Sequence, residues 1–151
     1  ASYFLRFDPE TETWTETNRI KSPNGNLQPQ VVQLTDDHLV AWMRRGGGYG
    51  PDTKGYILKS ESHDGGRTWS DAVDTELPNP NAAVDALKLK SGKVLLVYNN
   101  HMYNRSPLTV SISEDGGKTW PYTRDIAGGA MDLAYPYAIE TADGKIHIIY
   151  T

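Results

Sequence analysis

The sequence predicts an all-β fold made of repeated four-stranded antiparallel sheets. An eight-residue motif occurs twice, at residues 62–69 and 113–120, and six of its eight positions are identical. The two copies end in Trp69 and Trp120, which are 51 residues apart. Short apolar runs alternate with turn-forming residues along the chain, and no stretch of useful length has a helical period. A repeat of this length is typical of a fold built from an array of small, similar units.

Each repeat is predicted to begin with a strand, a turn and a second strand. The second strand is almost entirely apolar, which is typical of a strand that is covered on both faces of its sheet. A third strand leads into the motif, and a fourth strand follows it. The predicted first and second strands are 31–34 and 39–43, 86–89 and 94–98, and 137–139 and 146–150; the third strands are 55–60 and 108–113; the fourth strands are 14–20, 72–76 and 122–126.

Four strands per unit of about 50 residues indicate the blades of a β-propeller. Residues 1–27 are predicted to hold the last strand of a preceding blade and a linker. Two full blades follow at 28–80 and 81–130, and residues 131–151 supply the first two strands of a further blade. Because a closed ring needs about four to eight blades, the chain is predicted to be a propeller fragment. Its end at Thr151, directly after a strong strand, favours a fragment over two alternatives, association of copies and a smaller fold.

The repeated motif reads Ser-x-Asp-x-Gly-x-Thr-Trp and is predicted to be a tight turn between the third and fourth strands. Its Asp can accept hydrogen bonds from backbone N–H groups of the same turn. The Gly of the motif, Gly66 or Gly117, can take a positive φ without steric cost, and the Trp buries a large ring between sheets. The motif lacks the further oxygen ligands of a calcium loop, so we expect a structural role. These structural residues are Ser62, Asp64, Gly66, Thr68, Trp69, Ser113, Asp115, Gly117, Thr119 and Trp120.

Composition excludes several classes of partner and site. The formal net charge of −4 offers no basic field for nucleic acid or anionic lipid. Cysteine is absent, which excludes disulfides and Cys-based metal sites. No apolar run approaches the roughly 20 residues that a membrane helix needs, so no membrane span is predicted. We expect neither a metal nor an organic cofactor.

The motif is the Asp box, and the sequence resembles the sialidase (neuraminidase)-like family of Asp-box, or BNR-repeat, β-propellers. The resemblance covers roughly residues 27–151, and it is carried by the two boxes and by the stretches 77–81, 84–87, 92–99, 105–108 and 135–138. It implies a six-bladed propeller, of which this chain supplies about three blades. It also implies exo-hydrolysis of terminal sialic acid, with arginines that hold the carboxylate, a Glu-activated Tyr nucleophile and an Asp acid/base. This class of substrate favours a secreted or periplasmic location.

The order of the strands places the boxes on one face of the propeller and the polar connecting loops on the other. Arginines in these loops suit an acidic sugar, because a guanidinium can bind a carboxylate with two parallel hydrogen bonds. Asp85 is a polar residue in an apolar stretch, which favours a function. No Glu is clearly placed to activate Tyr135. The candidate catalytic residues are Asp85 and Tyr135, and the candidate substrate-binding residues are Arg44, Arg45, Asn81, His101 and Arg105.

The resulting prediction is a fragment of a sialidase-like glycoside hydrolase whose partner is a sialylated or other acidic glycan. The isolated chain is predicted to be inactive, because an arginine cluster drawn from several blades would be incomplete. One alternative is a non-catalytic Asp-box propeller that binds glycan or protein. Another alternative is a glycoside hydrolase whose substrate is a uronic or other acidic sugar instead of sialic acid. Exposed blade edges also predict self-association.

Overall fold

The computed structural model of this chain describes residues 1–46, 55–129 and 132–151. Within these ranges, twelve strands form four antiparallel sheets, with the orders β1-β2, β3-β4-β5-β6, β10-β9-β8-β7 and β11-β12. No helix in the described ranges is long and apolar enough to cross a membrane. The strands are β1 Leu5–Asp8, β2 Thr13–Glu16, β3 Asn26–Gln33, β4 Leu39–Arg45, β5 Tyr56–Ser62, β6 Val73–Pro78, β7 Asp85–Lys88, β8 Val94–Asn99, β9 Leu108–Ser113, β10 Tyr122–Ala127, β11 Tyr137–Glu140 and β12 Ile146–Ile149.

Both four-stranded sheets have the predicted strand order, and in each of them the Asp box connects the third strand to the fourth. The first strands β3, β7 and β11 contact one another in succession, so the sheets are arranged around a common edge. The second strands are the most buried. Every residue of β8 is buried, and the five central residues of β4 are buried as well. This burial explains why residues 40–43 and 94–98 are apolar, since neighbouring sheets cover both faces of these strands, whereas the buried Arg44 and Asn99 near the strand ends are polar.

The first sheet corrects the prediction of a lone strand over 14–20. The strand is Thr13–Glu16, and it pairs with an unpredicted strand, Leu5–Asp8. The turn between them lacks the box sequence, but the Asp8 carboxylate accepts hydrogen bonds from the N–H groups of Glu10 (2.9 Å) and Thr11 (3.4 Å). The prediction failed because the turn-forming carboxylate stands one position earlier than in a regular box. The pair therefore has the strand–turn–strand pattern of the third and fourth strands of a blade.

Three apolar clusters fill the spaces between successive sheets. The middle cluster lies between the two four-stranded sheets and includes Trp42, Ile57, Leu96 and Tyr98. The cluster before it holds Ile20, Met43, Leu58 and Trp69, and the cluster after it holds Leu95, Val97, Leu108 and Ala138. The two-stranded sheets at either side are covered on one face only, which leaves side chains such as Trp14 and Ile149 more than 60% exposed.

In both boxes the Asp carboxylate organises the turn. Asp64 Oδ1 accepts the N–H groups of Arg67 and Thr68, both at 2.9 Å, and Oδ2 accepts the Thr68 hydroxyl at 2.6 Å. Asp115 makes the same three bonds in the second box, at 3.0, 2.9 and 2.7 Å. Gly66 and Gly117 have φ values of 80° and 86°, a region that L-amino acids with side chains rarely adopt.

These bonds predict how stability depends on pH. The hydroxyl of Thr68 and backbone N–H groups hold the pKa of Asp64 well below its usual range, and Thr119 does the same for Asp115. A carboxyl group whose pKa is lower in the folded state stabilises the fold above its unfolded pKa of about 4, and this stabilisation is lost as the pH falls. We expect the difference in the free energy of unfolding between the wild type and Asp64→Asn/Asp115→Asn to be larger at pH 7 than at pH 2.5. Urea unfolding at both pH values measures it, and an equal difference would contradict this role of the boxes.

Candidate functional site

The candidate residues lie at the ends of strands opposite the boxes. In each sheet the first strand begins and the second strand ends on that side, as the pairings of Leu27 with Arg44 and of Asp85 with Val97 show. The same face carries the loop after β8 and the connections into β7 and β11. Part of the polar loop after Arg45 (47–50) and residues 130–131 of the connection into β11 lie outside the described residues.

Arg44 is a candidate substrate-binding residue whose guanidinium group is largely buried. It is 8% exposed, and its Nη1 donates to the backbone carbonyl of Asn81 at 3.3 Å, which joins the end of β4 to the loop before β7. Its Nε is buried and has no hydrogen-bond partner in the described part of the chain. A buried guanidinium N–H without a partner is costly, so an acceptor from a ligand would be strongly favoured here.

Arg45 lies on the other side of the same sheet, because successive residues of a strand point to opposite faces. Its guanidinium lies against the side-chain amide of Asn24, and it borders a small groove with Leu58 and Asp74. Arg45 thus lies on the side of Leu58, whose cluster faces the first sheet. Arg44 lies on the side of Asn81, which precedes the second full sheet. The structure therefore separates the two neighbouring arginines, and a role of Arg45 in substrate binding stays a prediction.

Asp85 is the first residue of β7 and is 3% exposed. Its Oδ2 accepts the backbone N–H of Ala138 in β11 at 2.6 Å, so the carboxylate connects the first strands of successive sheets. Burial raises the pKa of this carboxyl above its usual value, although the backbone hydrogen bonds oppose the shift. A raised pKa suits a group that donates a proton near neutral pH. The hydrogen bond to Ala138 also gives Asp85 a structural role.

The loop after β8 carries His101 and Arg105. His101 Nδ1 accepts the N–H groups of Tyr103 and Asn104, at 2.9 and 3.0 Å, which stabilises the turn and leaves Nε2 to carry the proton of the neutral ring. The Arg105 carbonyl accepts the N–H of Leu133 at 2.9 Å. This bond brings the loop against the connection that leads to Tyr135.

Tyr135 lies at the entry to β11, and 52% of its surface is exposed. Its φ of 51° is in the left-handed region, as are those of Gln28 (51°), within β3, and Asn81 (57°), in the loop before β7. Such backbone strain often marks functional positions. In the described residues, the Tyr135 hydroxyl makes no hydrogen bond, and no hydrogen bond or ion pair joins Arg44 to Arg105 or Asp85 to Tyr135.

Two buried asparagines on this face, Asn79 and Asn99, lie in the predicted polar loops but were not among the candidate site residues. Asn99 lies six residues after Lys93, as Arg44 lies six residues after His38, so the two hold equivalent positions in their sheets. Asn99 Nδ2 donates to the Leu133 carbonyl at 2.9 Å, which matches the bond from Arg44 to Asn81. Asn79 donates to the Ala82 carbonyl and accepts its N–H, which shapes the loop that carries Asn81. Alignment of the two repeats would have indicated Asn99.

A comparison with known protein families shows the family to which this chain belongs. Residues 1–148 match the BNR repeat-like domain family. The chain belongs to this family. None of the curated proteins matches it. The family match confirms the predicted Asp-box resemblance over nearly the whole length of this BNR repeat-like chain.

Solved structures confirm the sialidase-type propeller fold for this BNR repeat-like chain. It is similar to the NanB sialidase from Streptococcus pneumoniae, with 24% identity and a TM-score of 0.80, over 98% of this chain and 23% of that one. It is similar to an intramolecular trans-sialidase from Ruminococcus gnavus, with 26% identity and a TM-score of 0.74, over 98% of this chain and 33% of that one. An α-L-arabinofuranosidase, Arb93A from Fusarium graminearum, shares 22% identity over 99% of this chain and 45% of that one, with a TM-score of 0.61. The chain thus spans a third or less of the two sialidases.

Proposed function

We propose that this chain is part of a sialidase-like glycoside hydrolase that removes terminal sialic acid or a related acidic sugar. The observation that carries the proposal is Arg44, a buried guanidinium on the loop face with an Nε that lacks a partner in the described residues. A carboxylate is the ligand that matches it best, because it accepts two parallel bonds from one side of a guanidinium. The family and the similarity to a trans-sialidase solved with oseltamivir carboxylate support an acidic sugar.

In this proposal the substrate carboxylate binds Arg44, with Arg105 as a further cation, whereas Arg45 lies on the other side of the sheet, against Asn24. Asn81 and the Nε2–H of His101 contact the sugar hydroxyls. Tyr135 attacks the anomeric carbon, since a phenol meets less repulsion from the adjacent carboxylate than a second carboxylate would, and its phenolic proton passes to a base that another blade supplies. Asp85 supplies the proton to the leaving oxygen, a role that its raised pKa favours. Its carboxylate then accepts a proton from the water that hydrolyses the sugar–tyrosine bond and releases Tyr135. Other blades complete the arginine cluster and enclose the site, so the isolated chain binds the sugar weakly and does not turn it over.

Two measurements on the 151-residue chain test this proposal. NMR titration is expected to show binding of N-acetylneuraminic acid and none of galactose at the same concentration. A fluorogenic sialoside is expected to show no turnover. Equal binding of the neutral sugar would contradict the role of Arg44, and turnover by a monomer would contradict the incomplete site.

The second candidate function is a non-catalytic Asp-box propeller that binds glycan or protein. The exposed Tyr135 favours it, because in the described residues its hydroxyl has no hydrogen-bond partner that could act as its base. The two functions differ in their response to Tyr135→Phe in a protein that holds all the blades. A hydrolase would lose its turnover of the sialoside, whereas a binding protein would bind the glycan as before.

We also propose that copies of this chain associate through the two-stranded sheets. Phe4 packs on Trp69 with ring centroids 4.5 Å apart, so the alternate residues Leu5 and Phe7 face away, together with Trp14. At the other side of the molecule an apolar groove of about 530 Å³ lies between the second full sheet and β12. Its lining includes Leu95, Val110, Ile112, Tyr122, Ile146 and Ile148.

The two outer sheets complement each other. β11 and β12 have the pattern of the first two strands of a blade, and β1 and β2 have that of the last two. Pairing of β12 with β1 of another copy would complete a four-stranded sheet and place Phe7 and Trp14 in the groove. Each copy supplies the equivalent of three blades, so two copies reach six, within the usual range of about four to eight.

Light scattering after gel filtration is expected to give twice the chain mass of 16.8 kDa. Phe7→Lys/Trp14→Lys is expected to be monomeric, because two charges would be buried in the apolar groove. Val73→Lys is the matched control, since Val73 is 59% exposed on β6, away from both outer sheets, and this variant should remain a dimer. A wild-type monomer at high concentration would contradict the association.

A further inference from the structure

Two histidines and a glutamate converge on the face that carries the boxes. His38 Nε2 lies 2.7 Å from Glu61 Oε2, and His63 Nε2 lies 3.7 Å from the same oxygen. The two imidazole rings are stacked, with centroids 4.4 Å apart. One potential ligand atom from each residue lies within 4.8 Å of the other two. Three side chains from two turns and a strand therefore bring one potential ligand atom each into the same small region.

The backbone holds these side chains in place. His38 ends the turn between β3 and β4, where its carbonyl accepts the Leu34 N–H at 2.8 Å. His63 is the second residue of the first box, and the box is tied to that turn by the Gly65 N–H, which donates to the Asp37 carbonyl at 2.9 Å. Glu61 lies between them on β5, opposite Val40. The two histidines thus come from segments that are already joined, which lowers the entropic cost of forming a site.

The second full sheet shows what these positions hold when they form an ordinary ion pair. Lys93 occupies the position of His38, because its carbonyl accepts the equivalent N–H of Leu89 at 2.8 Å. Glu114 occupies the position of His63 in the box. Lys93 Nζ and Glu114 Oε1 are 2.6 Å apart, so the ion pair joins the turn to the box directly. Two imidazoles cannot make such a pair, and in the first sheet a carboxylate stands between them instead.

We propose that His38, Glu61 and His63 bind a divalent transition-metal ion, with Zn²⁺ the best match. Imidazole nitrogen and carboxylate oxygen are common zinc ligands, and three protein ligands leave one coordination position for water. With bonds of about 2.0–2.2 Å, tetrahedral ligand atoms are separated by roughly 3.3 Å, between the two distances seen here. The His63 side chain is 72% exposed, so it can move by the small distance that is needed.

Lys59 is the one cation bonded to this cluster in the described residues. Its Nζ lies 2.8 Å from Glu61 Oε1, whereas the histidines face Oε2. The ammonium group therefore leaves the inner oxygen available but opposes a bound cation electrostatically. The ion would join the turn to the box in the first sheet as the Lys93–Glu114 pair does in the second. The site lies on the face opposite Arg44, so it is independent of the proposed glycan site.

Calorimetric titration with ZnCl₂ near pH 7.5 is expected to show one ion per chain. The imidazole NMR signals of His38 and His63 should shift, whereas those of His101 and His147, the other two histidines of the chain, should not. His63→Ala and Glu61→Gln should each weaken binding at least about tenfold, as loss of a ligand or its supporting group does in metal sites. Lys59→Met should tighten binding by about fivefold, because a unit charge close to the ion is removed.

His147→Ala is the matched control, because His147 is exposed on β12 and should leave zinc binding unchanged. Stoichiometric binding that survives in His38→Ala/His63→Ala would place the ion elsewhere and overturn the proposal. Absence of wild-type binding at millimolar ZnCl₂ would also overturn it. Circular dichroism of each variant verifies that the fold is retained, and the opposite directions expected for Glu61→Gln and Lys59→Met separate ligand loss from general destabilisation.

Discussion

Replacing Gly117 with alanine is expected to lower the free energy of unfolding by about 2–5 kcal/mol. A Cβ on Gly117 would collide with the six-membered ring of Trp42. Trp42 is fully buried between the two full sheets and meets Trp120 edge to face, with centroids 5.9 Å apart. Because the ring is enclosed, moving it would disturb the packing between the two sheets. The φ of 86° adds the strain of a left-handed conformation, which costs a residue with a side chain roughly 1–2 kcal/mol.

Gly92→Ala separates the effect of the collision with Trp42 from the effect of the left-handed backbone conformation. Gly92 has a φ of 85°, but no heavy atom lies within 4 Å of the position that its Cβ would take. This variant should lose only the conformational part, about 1–2 kcal/mol. Guanidinium unfolding of both variants gives the difference that is due to Trp42. Equal losses in the free energy of unfolding would show that the core adapts to the extra methyl group and that the collision with Trp42 does not destabilise the fold.

Replacing Arg44 with lysine is expected to weaken the binding of N-acetylneuraminic acid roughly 10- to 100-fold. Hydrogen bonds to charged groups contribute about 1.5–3 kcal/mol, and lysine cannot supply the planar pair of N–H groups that grips a carboxylate. The ammonium group can still donate to the Asn81 carbonyl, so the fold should lose little stability. This outcome rests on the proposed function, and NMR titration of the sugar measures it.

Arg45→Lys is the matched control for Arg44→Lys. The two residues are neighbours on β4, but Arg45 faces Asn24 on the other side of the sheet. If Arg44 is the carboxylate ligand, Arg44→Lys should affect binding more than Arg45→Lys does. The reverse order would assign the carboxylate to Arg45 and contradict the placement of Arg44 on the ligand side of the sheet. Thermal unfolding verifies that both variants are folded.

The strands and boxes could be predicted from the sequence because they depend on local physics. Alternation of apolar runs and turn residues defines a strand–turn–strand unit, and the box residues make their hydrogen bonds within the same few positions. The predicted second strand 94–98, for example, is observed as Val94–Asn99. The strand Leu5–Asp8 was missed because its turn uses Asp8 out of the regular position, and a pattern search cannot recognise a hydrogen bond made in this way.

The candidate site was predictable only as a set of loops. Sequence order placed Arg44, Asp85, Arg105 and Tyr135 on one face, but it could not distinguish Arg44 from Arg45. That distinction depends on which side of β4 each residue takes and on what covers that side. The hydrogen bond from the Ala138 N–H to the Asp85 carboxylate could not be predicted either, because it joins residues 53 positions apart.

By itself, the sequence of this BNR repeat-like chain determined the repeat, the all-β class, the strand order and the face on which its polar loops lie. These properties follow from interactions between residues near one another in the chain. Only the tertiary structure decided which arginine is buried with an unpartnered Nε, which carboxylate links two sheets, and that His38 and His63 meet at Glu61. Those properties arise from the packing of one sheet against another and from the pairing of distant strands, which local sequence patterns do not encode.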